Sequence, residues 1–178
     1  LIPQRLTDSK CLFLGNIHPT VQLNVLNQMH EPQLVVCDTM NYWIDQNKEE
    51  LLKLLQTVDI LMINDSEIRE LTGESNLLKA SRIVQSMGPE SVVVKKGEHG
   101  AIFFGMDWSF AVPGLLLDGV IDPTGAGDSF AGGFLGYLSG KQVFSHEHYR
   151  KAMVYGTVMG SFAVESFSID RLEMISKQ

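Results

Sequence analysis

Residues 119–138 read GVIDPTGAGDSFAGGFLGYL, and the core of that stretch, DPTGAGDSF at 122–130, is an odd way to begin a helix. Gly125 and Gly127 are poor helix formers and Asp128 carries a charge, yet an apolar run follows at once. Two readings are open. The stretch is either a tight strand-to-helix turn with a capping Asp, or an anion cradle with a base beside it. The first amides of a helix have no internal acceptor and point outward with the positive end of the dipole. Gly125, Ala126 and Gly127 can therefore aim several N–H donors at one anionic group. In a phosphoryl transfer those donors would meet the charge spreading over the transferred oxygens, and Asp128 could take a proton from the attacking hydroxyl. An Asp in a first helical turn is also favourable for electrostatic reasons alone, by about 0.3–1 kcal/mol. Two familiar alternatives fall away. No Lys-Ser/Thr pair follows, as a Walker A loop needs, and the place of the third glycine of a dinucleotide fingerprint holds Phe130.

Working outward, the chain alternates short apolar runs with amphipathic ones. CLFLGN (11–16), QLVVCD (33–38), DILMIN (59–64) and SVVVKKG (91–97) read as buried strands. Helical patterns cover 18–29, 47–58, 65–73 and 77–88, with Pro19 at a helix start and Gly73 and Gly88 at helix ends. AIFFG (101–105) and SFAVPG (109–114) read as a hairpin, and helices are expected through 147–164 and near 170–176. The pattern predicts a single α/β domain over 1–178, a mostly parallel sheet flanked by helices with one antiparallel hairpin. Ligands of such sheets collect beyond the carboxyl ends of the strands. That places Asp38–Asn41, Asn64–Glu67, Lys95–Gly100 and Thr124–Asp128 on a common rim. Inside the helix that follows the motif, Gly132, Gly133 and Gly136 each cost about 1 kcal/mol relative to Ala. Close packing against a neighbouring element is their expected use, while Phe130, Phe134, Leu135 and Leu138 fill the core.

Composition limits the partners. The chain is 44% hydrophobic and 20% charged, a globular balance, and its net charge of −7 argues against nucleic acid or an anionic membrane surface. No apolar run reaches the length of a membrane span and no signal peptide is visible. Cys11 and Cys37 lie in strand-like runs without a CxxC, which suits reduced core residues of a cytoplasmic protein. His146-Glu147-His148 looks metal-like but lacks a third ligand at suitable spacing, so a solvated helix start is expected.

DPTGAGDSFAGGF closely resembles the D-T-x-G-A-G-D-x-F signature of the ribokinase-like (PfkB) carbohydrate kinases, with Pro123 in place of the usual Thr. The resemblance implies a ribokinase-like fold and ATP-dependent phosphoryl transfer to a sugar hydroxyl. It makes Asp128 the catalytic base and the Gly125, Ala126 and Gly127 amides the anion hole. Other family motifs are matched in order. Asn64 and Glu67 resemble the N-x-x-E motif, in which the Glu holds water on Mg²⁺ and the Asn lies near the phosphates; by themselves they also read as helix caps. Lys95, Gly97 and Gly100 resemble the strand-G-x-x-G nucleotide loop, and two Lys residues there are equally a solvated strand end. Thr124 joins the nucleotide-contacting set, and Thr157 falls where relatives often carry an adenine-pocket Asn. DTMNYWI (38–44) resembles a substrate segment of sugar-kinase members, giving Asp38 and Asn41 but no Arg. Asp122 is the candidate ligand for a monovalent cation such as K⁺.

The resemblance covers only the C-terminal part of the family fold. The chain begins at Leu1, and an N-terminal part with a sugar site and a small lid is expected in the intact protein. Implied with it are ATP and Mg²⁺ as cofactors, a small sugar or nucleoside as partner, and a homodimer as an option for the intact protein. A nucleoside kinase of the same fold, and a non-catalytic fragment that keeps the fold, are the competing readings.

Overall fold

The apolar runs become strands and the amphipathic runs helices, usually a residue or more shorter than their patterns. The computed structural model describes residues 1–175. The first part holds β1 (Cys11–Leu14), α1 (Pro19–Leu26), β2 (Leu34–Asp38), α2 (Asn41–Gln46), α3 (Lys48–Leu55) and β3 (Ile60–Asn64). Then come α4 (Asp65–Thr72), α5 (Leu77–Met87), β4 (Ser91–Lys95), β5 (Ala101–Phe104) and β6 (Ser109–Val112). The chain continues with α6 (Ala126–Ser139), α7 (His146–Val164) and α8 (Asp170–Glu173). The expected terminal helix near 170–176 forms as α8, and residue 176 lies outside the described residues.

The six strands form one α/β sheet in the order β1-β2-β3-β4-β5-β6. β1 through β4 run parallel to one another. β5 and β6 follow as the expected hairpin, its turn closed by the Gly105 N–H on the Trp108 carbonyl at 2.9 Å. The chain divides into two compact units, Leu1–Lys95 with Ile102–Ser109, and Lys96–Ala101 with Phe110 to the C-terminus.

In the first unit β2 is buried from end to end, and β3 and β4 are buried except at their termini. Continuous burial, not alternation, marks a parallel strand covered on both faces. α3 supplies Leu51, Leu54 and Leu55 from one stripe, α4 Ile68 and Leu71, and α5 Ala80 and Val84. Each fully buried Leu or Ile contributes about 1.5–3 kcal/mol. β1, in contrast, is only half-buried until Leu14. The segment 38–44 runs into a short helix for which no helical pattern was read. After Asp38 the chain enters α2, whose Ile44 is buried in the core.

In the second unit α6 and α7 pack closely. Phe130, Phe134 and Leu138 are buried on α6, and Ala152 and Met153 on α7. A Cβ at Gly133 would stand 2.6 Å from the Tyr155 carbonyl oxygen and 2.7 Å from Met159 Cγ. On α7 a Cβ at Gly156 would stand 2.9 Å from the Phe130 carbonyl oxygen. Close packing thus accounts for Gly133 but not for Gly132 or Gly136, which face space with nothing within 4 Å. The helix start at 146–148 carries a capping box between Ser145 and His148, and Glu147 pairs with Lys151 at 2.7 Å.

These glycines give a matched test. Gly133→Ala overpacks the α6–α7 contact and should cost about 1–3 kcal/mol. Gly132→Ala sits on an exposed helical face and should gain about 0.5–1 kcal/mol. Urea unfolding of both variants checks the pair, and equal effects would contradict the packing described.

Candidate active site

Asp38, Asn64 and Lys95 are the last residues of β2, β3 and β4. Parallel register therefore brings the first three predicted rim segments together, with Asn64 directly opposite Lys95. Asp38 is buried, and its carboxylate is held twice. Oδ2 accepts from Lys95 Nζ at 2.7 Å and Oδ1 from the Thr39 amide at 2.9 Å. Its carbonyl also accepts from the buried Gln22 side chain at 3.1 Å. Lys95 reaches Asp38 across β3, because β3 lies between β2 and β4 in the sheet. Asn41, predicted alongside Asp38, stands exposed on the first turn of α2 instead.

Asn64 and Glu67 close the start of α4 as a reciprocal capping box. Asn64 Oδ1 accepts from the Ser66 amide at 3.0 Å and the Glu67 amide at 2.8 Å. Glu67 Oε2 in turn accepts from the Asn64 amide at 3.0 Å. Burial pushes the Glu67 carboxyl above the usual carboxylate range, opposed by the Asn64 amide and the Lys95 charge. The capping and rim readings of these two residues hold together. Sequence reasoning passed over Thr39, whose buried Oγ1 has no hydrogen-bond partner among the described residues. Its only signal was its place directly after a strand-end Asp.

In the second unit the DPTGAGDSF stretch opens α6. Gly125 is its N-cap, with φ 78° in the left-handed region and no side-chain cap bond. A residue with a Cβ would be strained there, although nothing lies within 4 Å of the position. Ala126 N–H bonds to the Pro123 carbonyl at 3.2 Å. The Gly127 and Asp128 amides follow in the first turn, where a helix offers no internal acceptor. Asp128 is exposed. Asp122 turns the preceding loop by accepting from the Thr124 amide at 2.9 Å, which lowers its pKa. Thr124 is itself exposed.

Gly97 opens a short 3-10 turn that ends at Gly100, and the Gly100 carbonyl accepts from the Lys96 amide at 2.8 Å. The turn presses on a second segment, since a Cβ on Gly100 would stand 2.0 Å from the Val112 carbonyl oxygen. Thr157 is buried on α7 and its hydroxyl bonds back to the Met153 carbonyl at 2.9 Å. No described helix is long and apolar enough to cross a membrane.

Comparison with known proteins identifies the family. Residues 20–172 match the pfkB family carbohydrate kinase description. The chain belongs to that family. It is 33% identical to the cytidine kinase of Thermococcus kodakarensis over 146 residues, covering 79% of this chain and 52% of that one. The aminoimidazole riboside kinase of Salmonella enterica, solved with aminoimidazole riboside and an ATP analogue, superposes with a TM-score of 0.69 at 26% identity. That match covers 78% of this chain and 48% of the other. The adenosine kinase of Sinorhizobium meliloti shares the fold, with a TM-score of 0.80 at 17% identity over 94% of this chain and 53% of that one. The chain therefore spans about half the length of these relatives.

The electrostatics of Glu67 yield a stability prediction. A carboxyl whose folded pKa is raised supports folding below its unfolded pKa and loses that support as pH rises through the folded value. Glu67→Gln keeps the acceptor for the Asn64 amide and removes the buried charge. It should melt higher than the parent near pH 7, and the gain should vanish towards about pH 4, where the parent carboxyl is also neutral. Melting temperatures across that range check the sign, and a gain that grows on acidification would contradict it.

Proposed function

We propose that the chain is the C-terminal portion of an ATP-dependent kinase domain that phosphorylates a hydroxyl of a sugar or nucleoside. The single observation that carries this reading is the start of α6. A helix opens on a left-handed glycine without a side-chain cap and sets an exposed Asp128 in its first turn. The residues fit an anionic ligand, because the first-turn amides are donors without helical acceptors. They fit a divalent cation as well. Glu67 commits Oε2 to the Asn64 amide, and among the described residues Oε1 takes no hydrogen bond. Bound ATP with Mg²⁺ would supply the phosphoryl group and neutralise the charge on its oxygens.

The chain's own residues supply the rest. Asp128 would accept the proton of the acceptor hydroxyl as that oxygen bonds to the γ-phosphorus and the bond from phosphorus to the bridging oxygen breaks, with ADP as leaving group. The Gly125, Ala126 and Gly127 amides would stabilise negative charge on the transferred oxygens, the Ala126 N–H by giving up its bond to the Pro123 carbonyl. Glu67 would hold the hydrated Mg²⁺, and Asn64 fixes the Glu67 carboxylate through the capping box. Gly97, Gly100 and Thr124 would give backbone access to the nucleotide, and Thr157 would stand near its base. Asp122, already engaged by Thr124, is the candidate residue for a monovalent cation such as K⁺.

Relatives named as a cytidine kinase and an aminoimidazole riboside kinase support a nucleoside acceptor, and relatives named as fructokinases support a free sugar. Reduced cysteines suit a cytoplasmic location. Cys37 is fully buried, and burial pushes its thiol pKa up, out of the reactive range.

In the full-length protein, Asp128→Asn should lower kcat about 10²–10⁴-fold while nucleotide affinity is held. ADP release with a panel of sugars and nucleosides, alongside ADP-induced thermal shifts, checks both halves. Wild-type turnover in the Asn variant would remove Asp128 from the base role.

A further inference from the structure

We propose that the part-buried Asp38–Lys95 pair guards Glu67: Asp38 holds the Lys95 ammonium across the end of β3, leaving the Glu67 carboxylate open to a hydrated divalent cation. The inference rests on the metal-holding role proposed for Glu67 and assigns Asp38 a positioning role in place of substrate contact.

Three observations support it. Lys95 leaves β4 directly opposite Asn64, the residue whose amide holds Glu67 Oε2. Its ammonium therefore starts beside the capping box, yet it ends on Asp38 Oδ2 at 2.7 Å, on the far side of β3. Asp38 is fixed independently of Lys95, by the Thr39 amide on Oδ1 and the Gln22 amide on its carbonyl. The charges of Lys95 and Asp38 are both felt at Glu67, so the three groups share one electrostatic neighbourhood.

Within that neighbourhood one ammonium has two carboxylates to choose from. An ammonium on Glu67 would occupy the lone pairs a hydrated metal needs. The Asp38 and Lys95 side chains are only 7% and 18% exposed, and buried pairs of this kind contribute little net stability against an apolar replacement. What the pair supplies is a fixed position for the cation, away from Glu67.

The test uses Mn²⁺ alone, read in the full chain by paramagnetic broadening of the Asn64 and Glu67 amide NMR signals. Asp38→Asn should raise the half-saturating Mn²⁺ concentration about tenfold, the lower end of what an adjacent opposite charge produces. The double variant Asp38→Asn with Lys95→Met should return to within about twofold of the parent, the usual scatter for independent changes. Parent-like Mn²⁺ binding in Asp38→Asn would overturn the guard, as would a double variant as weak as the single one. If the single variant does not fold, the double, which leaves no unpaired buried charge, decides alone: parent-like binding supports the guard and lost binding overturns it. Glu67→Gln separates the two layers. Weakened binding there with an unaffected Asp38→Asn defeats only the guard, whereas unaltered binding in Glu67→Gln defeats the metal role and the guard with it.

Discussion

A parallel strand covered on both faces can present polar chemistry only where it stops. At its carboxyl end the ladder gives out, and buried carbonyls and amides must find partners elsewhere. Three devices meet that demand here. The Gln22 amide is shared among the carbonyls of Leu14, Gly15 and Asp38 at 3.0, 2.8 and 3.1 Å, tying the ends of β1 and β2. The Asn64–Glu67 box closes the junction of β3 and α4. Lys95 at the end of β4 reaches Asp38. Each device is a structural requirement first, and each leaves a carboxylate, an amide or an ammonium on one rim.

The start of α6 obeys the same accounting with the opposite outcome. α5 and α7 open on side chains that cap them, Asn76 and Ser145, whereas α6 opens on Gly125 with none. A capping side chain is typically worth about 1 kcal/mol. A helix that forgoes it retains donors for an external anion, at a cost recovered in part through the Phe130, Phe134 and Leu138 core. The close approach of α7 is permitted by Gly133 and Gly156, where a Cβ would clash with the facing helix.

How much of this was legible follows from the range of each interaction. Local patterns were readable: β2, β3 and β4 from apolar runs, α4 from its capping residues and terminal glycine, and the DPTGAGDSF helix start from its glycines and charge. α2 was missed because its six residues carry too few turns for a 3.6-residue period to emerge from NYWIDQ. Gly132 and Gly136 were assigned to packing because sequence cannot say which face of α6 meets α7. The Lys95–Asp38 pair spans 57 residues of chain, so no spacing rule announces it, and only strand order makes them neighbours. The engagement of the Asp38 carboxylate by Lys95 and the Thr39 amide is therefore visible only in the fold.

Charge counting on the rim of the first unit carries the last step. Asp38 and Glu67 contribute two carboxylates and Lys95 one ammonium, and the ammonium is spent on Asp38. Under the kinase reading, when Glu67 is ionised these three groups sum to one negative charge, which opposes an approaching phosphate. The desolvation that raises the Glu67 pKa makes its charged form costly unless a cation shares the site. A divalent ion resolves both difficulties together, since it compensates the buried carboxylate and reverses the sign presented to a phosphate. Under the kinase reading, then, the metal is the condition on which an anionic nucleotide can approach this rim at all, which is why the position of a single lysine matters to it.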